Sequence, residues 1–197
     1  MMKQKIADLS ETKNAFSIKW AFGYAVDWNF DAIEATEPEE IESILDYIYK
    51  RNDDLLQVAV LYEFEDSKAC HIMEIPEIVW MRKELLEPIK NNEPARYFDS
   101  HCSCDFEFVS EVIDAQYIRL TITDKNTEND PIVKFDHVIS KEEFLSETDR
   151  VFKEIYAATD KLIEDYSHRH NLSAAHKELL KTRLYEWTPK LATDRIE

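Results

Sequence analysis

The sequence predicts an α+β protein: an antiparallel sheet of about five to six strands with helices packed on it, closing in two C-terminal helices. Three observations predict it. Residues 16–30, FSIKWAFGYAVDWNF, alternate large apolar side chains with small or polar ones, and a period of two is the strand period. Two capping signals, Thr36-Glu37-Pro38-Glu39 and Ser140-Lys141-Glu142-Glu143, each stand before apolar residues at helical spacing. Two short polar segments, Asp66-Ser67-Lys68 and residues 124–131, each join a pair of strand-like runs, as antiparallel neighbours connect.

Taken in order, the first strand places Phe16, Ile18, Trp20, Phe22, Tyr24, Val26, Trp28 and Phe30 on one face. So much apolar area on one side predicts core rather than ligand site. Gly23, the one glycine in the chain, marks a bend or bulge. A helix follows from Thr36, with Ile41, Ile44, Leu45 and Ile48 as its core stripe. Leu55 to Glu65 is apolar on both parities, as in a strand covered on two sides. Asp66-Ser67-Lys68 turns the chain, and Ala69 to Ile75 returns antiparallel. Pro76 starts a helix that stops near Pro88, and residues 91–99, with Pro94, read as a loop. Strands follow at Cys102–Val109, Tyr117–Thr123 and Ile132–Phe135. The helix behind Ser140 runs to about Ser167. Asn171 or Ser173 caps the last one, stopped by Thr188-Pro189. Nothing marks a linker, so residues 1–197 read as a single domain, with 168–197 a candidate semi-independent helical element.

The single glycine excludes several chemistries. The dinucleotide fingerprint, the P-loop and the nucleophile elbow each need more than one. Turns must use Asn, Asp, Ser and Pro instead. No apolar run is long enough for a membrane span, and the N-terminus lacks a secretory pattern. Three cysteines without framework spacing predict free thiols and a cytoplasmic location.

The formal charge is −17. Such a surface repels nucleic acid and anionic membranes and favours a basic protein partner. The charge is uneven. Residues 31–54 carry nine acids against Lys50 and Arg51, whereas bases outnumber acids from Arg169 onward. The predicted partner-binding patch comprises Asp31, Glu34, Glu39, Glu42, Asp46, Asp53 and Asp54, joined by Asp105 and Glu107 on the next acidic strand. Tyr47 and Tyr49 lie on the same helix and add aromatic contact.

Cys70, His71, His101, Cys102 and Cys104 are weak metal candidates, because their spacing is not that of structural zinc sites. The expected cofactor is none, and no catalytic residue is assigned. His168, His170 and His176 complement the negative end of a helix or converge in the interhelical loop.

Residues 117–156, YIRLTITDKNTENDPIVKFDHVISKEEFLSETDRVFKEIY, form a strand, polar turn, strand and capped helix. This segment resembles a module of small bacterial toxin-immunity proteins. The resemblance implies a cytosolic, non-enzymatic protein that neutralises a toxin by stoichiometric binding and occlusion. Two alternatives stand beside it. One is a metal-dependent or acid-base enzyme using residues 99–107. The other is a phage or host adaptor, including an acidic mimic of nucleic acid.

Overall fold

The computed structural model describes residues 16–25, 33–51, 56–99, 106–125 and 131–186. It is α+β, as expected. Its described strands number eight rather than five or six, and they form two antiparallel sheets. The first has the order β2-β1-β3-β4, from β1 (Ser17–Ala25), β2 (Ile33–Ala35), β3 (Gln57–Phe64) and β4 (Ser67–Glu74). The second has the order β5-β6-β7-β8, from β5 (Ala95–Asp99), β6 (Phe106–Val112), β7 (Tyr117–Asp124) and β8 (Ile132–Ser140). Helix α1 (Pro38–Arg51) joins β2 to β3, and α3 (Lys141–Arg169) and α4 (Ala174–Tyr185) end the described chain.

Two strands depart from expectation. β2 is three residues long, too short to show a period. β5 replaces the loop expected there: Ala95, Tyr97 and Asp99 are buried while Arg96 and Phe98 are exposed. Pro94 lies just outside it, and an edge strand needs only one partner, here β6.

The middle helix also differs. An α turn (Glu77–Met81), a π turn (Arg82–Leu86) and a second α turn (Glu87–Lys90) run on as one composite helix, α2. It passes through Pro88 instead of stopping there. Proline lacks an N–H and crowds the carbonyl four residues back; the wider π turn immediately before it relieves that crowding. Asn92 ends α2 in the left-handed conformation, φ 58°, with Glu93 N–H donating to the Pro88 carbonyl at 2.9 Å. Asn171 does the same after α3, φ 50°, with Leu172 N–H donating to the Ser167 carbonyl at 2.9 Å. Asparagine thus fills both helix-ending positions where glycine is usual.

α1 begins one residue later than its capping signal. Glu37 supplies the first helical carbonyl, and Pro38 takes the first helical position. Thr36 is buried, and its N–H donates to the Phe22 carbonyl at 2.7 Å. Ser140 caps α3 as expected, accepting from Glu143 N–H at 3.3 Å. Ser173, rather than Asn171, caps α4.

The alternating stripe of β1 is core at its start. Phe16 and Ile18 are buried, and Trp20 and Phe22 pack partly buried against the core. Phe16 meets Phe135 of β8 and Phe144 of α3 at 6.2 and 5.7 Å between ring centres. Val26, Trp28 and Phe30 lie outside the described residues. Helix α3 buries Phe144, Thr148, Val151, Phe152, Ile155, Thr159, Ile163 and Tyr166 along one side. Its Arg150 donates to the Ile18 carbonyl at 2.8 Å, and its Glu154 accepts from the Trp20 indole at 3.0 Å. The two sheets meet through Tyr62 and Phe108, 5.5 Å apart, and through His71, ringed by Tyr97, Phe106 and Phe108.

Gly23 pairs with Ala35, and a Cβ there would lie 1.9 Å from the Glu34 carbonyl oxygen. Backbone, not a yielding side chain, occupies that space. Gly23→Ala is therefore expected to cost about 2 kcal/mol or more, read as a lower urea midpoint. An unchanged midpoint would show that β2 does not need this close approach.

Candidate functional site

Helix α1 and the end of α3 bound a groove of about 410 Å³, lined by Glu42, Asp46, Tyr49, Lys50, Tyr166 and His170 among others. Leu45 and Ile48 face inward and are buried, which turns Glu39, Glu42 and Asp46 outward along one face, at intervals of three and four residues. From α3, the buried stripe ends at Tyr166, and the following turn brings Arg169 and His170 opposite α1. Helix α4 braces the far side: Arg183 donates to the Ile48 and Tyr49 carbonyls at 2.9 and 2.5 Å, and His176 stacks edgewise on Tyr49.

The groove is charged and aromatic together. Glu42 accepts from His170 Nε2 at 3.0 Å and pairs with Arg169 at 3.2 Å. The carboxylate only accepts, so Nε2 carries the hydrogen. The His170 hydrogen bond, assisted by Arg169, holds the Glu42 carboxyl below the usual carboxylate range. Asp46 pairs with Lys50 and accepts from the Tyr166 hydroxyl at 2.7 Å, and both bonds lower its pKa as well. Burial and the Asp46 bond push the Tyr166 phenol up. Tyr166 lies 4.3 Å from the His170 ring and 6.3 Å from Tyr49. Glu42 and Asp46 thus stay ionised through neutral pH, each beside a flat aromatic face.

The predicted acids separate into three groups. Glu42 and Asp46 line the groove. Glu34 and Glu39 are exposed, as are Glu37 and Glu40 beside them, and none of the four makes an ion pair among the described residues. Glu107 belongs elsewhere: it is buried on β6 between Arg96 and Lys125, whose hydrogen bonds, Lys125 first, lower its pKa. Its charge is answered inside the fold by Arg96 and Lys125. Asp31, Asp53, Asp54 and Asp105 lie outside the described residues. Exposed carboxylates also occur away from α1, among them Glu93, Glu111, Glu142 and Glu143.

Cys70 and His71 are neighbours on β4 and so face opposite sides of the sheet. Among the described residues, no group of three or more His, Cys, Asp or Glu side chains is arranged so that it could hold a metal ion. His101, Cys102 and Cys104 lie outside them. Of the three late histidines, His170 and His176 reach α1, while His168 is exposed. No helix among the described residues is long and apolar enough to cross a membrane.

Sequence reasoning missed a second polar cluster, sealed between the sheets. His71 Nε2 lies 2.5 Å from Asp99 Oδ2, and both side chains are fully buried. Glu77, also buried, accepts from the Glu74 N–H at 2.6 Å and shares a hydrogen bond with Asp99. Asp99 opens the 99–107 segment of the enzyme alternative and His71 is one of the metal candidates, but no local spacing pairs the two across 28 positions or brings Glu77 to them.

No family model, curated protein or solved structure matches this chain.

Burial, reinforced by the Asp99 charge, pushes the Glu77 carboxyl up to about 9. In the unfolded chain it releases its proton near 4.5. Between those values the folded state holds a proton that the unfolded state has lost, so this group makes stability fall as pH rises. The slope is at most about 1.4 kcal/mol per pH unit. Glu77→Gln keeps an acceptor and a donor without the titration. Melts from about pH 5.5 to 8.5 should fall for the native chain and flatten in this variant. Parallel curves would contradict a neutral Glu77.

Proposed function

We propose that this chain is an acidic binding protein that docks a basic protein partner along α1, with a lysine or arginine of that partner entering the groove. The observation that carries the reading is the run of exposed, unpaired acids at the start of α1, Glu37, Glu39 and Glu40, leading along the helix to Glu42, Asp46 and the tyrosines. The overall charge of −17 adds long-range attraction of the same sign.

The groove suits an incoming cation. Its own cations are exposed: the side chains of Lys50 and Arg169 are 61% and 51% accessible. Exchanging one exposed ion pair for another costs little. Tyr49, partly exposed, offers its ring to an aliphatic stem or a guanidinium, while Tyr166 is buried and holds Asp46 in place through its hydroxyl. Charge at the helix start speeds encounter, and the aromatic groove slows departure.

Neutralisation of a toxin by occlusion is the specific form we propose, on the resemblance of residues 117–156 and the acidic docking face. Co-expression with the product of the neighbouring gene tests it: restored growth and a one-to-one complex are expected, and failure to form any complex contradicts it. With a partner in hand, Glu37→Gln, Glu39→Gln and Glu40→Gln together should slow association about tenfold at low salt and little at high salt. Association that ignores both the substitutions and the salt would exclude steering by α1.

A further inference from the structure

Three side chains that no sequence motif connects meet at the rim between the two sheets. Ser67 opens β4, and His137 lies in β8, 70 positions later. His137 Nε2 is 2.6 Å from Ser67 Oγ. On the other edge of the imidazole, Nδ1 is 4.0 Å from Glu65 Oε2. The rings of Phe64 and Phe135 flank the imidazole at 5.1 and 4.9 Å and fix its plane. Ser67 is partly buried, while His137 and Glu65 keep 21% and 42% of their side-chain surface in solvent.

Glu65 owes its place to the hairpin. Phe64 and Ser67 pair directly, so Glu65 and Asp66 are the whole turn. Such turns require positive φ, usually supplied by Asn, Asp or Gly; Glu65 adopts φ 54°. A glutamate there bears the strain of the left-handed region, and it puts a carboxylate on the Nδ1 side of His137. Asp136, the next acid along β8, is held by Arg119 and Thr121. Glu65 is therefore the carboxylate closest to Nδ1 among the described ion pairs.

We propose that Ser67, His137 and Glu65 form a nucleophilic site for small, activated acyl esters. Ser67 Oγ attacks the ester carbonyl carbon as its proton passes to His137 Nε2. The bond from that carbon to the leaving oxygen breaks, and Nε2 returns the proton to the departing group. Water, deprotonated by the same nitrogen, then releases the carboxylic acid and restores Ser67. Glu65 is a positioning residue: at 4.0 Å it stabilises the imidazolium by charge rather than by a hydrogen bond. With Ser67 and His137 only partly exposed, the site favours a short acyl group with a good leaving group. This site is separate from the α1 groove, and its failure would leave the docking reading untouched.

The full chain incubated with p-nitrophenyl acetate provides the test, with nitrophenolate release followed by absorbance and the acetyl group located by peptide mass spectrometry. The expected result is one acetyl on the peptide holding Ser67, absent in Ser67→Ala. His137→Gln can keep the hydrogen bond between the sheets but cannot act as base, so acylation should slow about 100-fold with the melting temperature retained. Glu65→Gln should lower the acylation rate a few-fold. Acetylation confined to lysines, release as fast in Ser67→Ala as in the native chain, or a folded His137→Gln that acylates normally would each overturn the proposal. Should His137→Gln not fold, the Ser67→Ala comparison decides alone.

Discussion

Burial of one continuous apolar stripe along α3 is the constraint on which the rest of the molecule hangs. The helix is 29 residues long, and its two ends do different work. Near its start, Phe144 closes over Phe16, and Arg150 holds the β1 backbone at Ile18. Near its end, Tyr166 reaches Asp46 and the next turn delivers His170 to Glu42. A helix this long, anchored on a sheet at one end, sets where the groove stands relative to the core. Loss of the stripe would therefore remove the site along with the fold.

The same division explains why the two polar clusters differ in character. His71, Asp99 and Glu77 are all buried, with aromatic rings around His71 where the sheets meet. Ionisable groups in such a place must share protons and hydrogen bonds with one another, because water cannot answer them. Glu42 and Asp46 sit at the edge, where exposed cations answer them loosely and can be exchanged. A sealed cluster shapes stability against pH. An open one keeps its charges in reach of solvent.

Much of the fold was legible because its signals are local. The alternation of Phe16, Ile18, Trp20 and Phe22, the Ser140 cap and the α3 stripe all declare themselves within a few residues. The two-sided burial of β3 showed in its apolar run, Val58 to Leu61. What was not legible is pairing. Nothing in the run Ala95–Asp99 says that it joins β6, and a pattern of strands does not say whether they make one sheet or two. The candidate site divides the same way. Helical spacing put Glu39, Glu42 and Asp46 on one face. The groups of α3 and its end that answer Glu42 and Asp46, namely Arg169, His170 and the Tyr166 hydroxyl, come from about 120 to 130 positions away. Glu107 looked like a free strand carboxylate because Arg96 and Lys125 reach it only through the sheet.

The central claim is that cations are drawn to α1 and its groove in preference to the other exposed acids. The most direct measurement is a two-dimensional amide NMR titration of the full chain with a hexa-arginine peptide at low salt. The expected shifts concentrate from Glu37 to Lys50 and from Tyr166 to Leu172. Shifts distributed equally over Glu93, Glu111, Glu142 and Glu143 would contradict it.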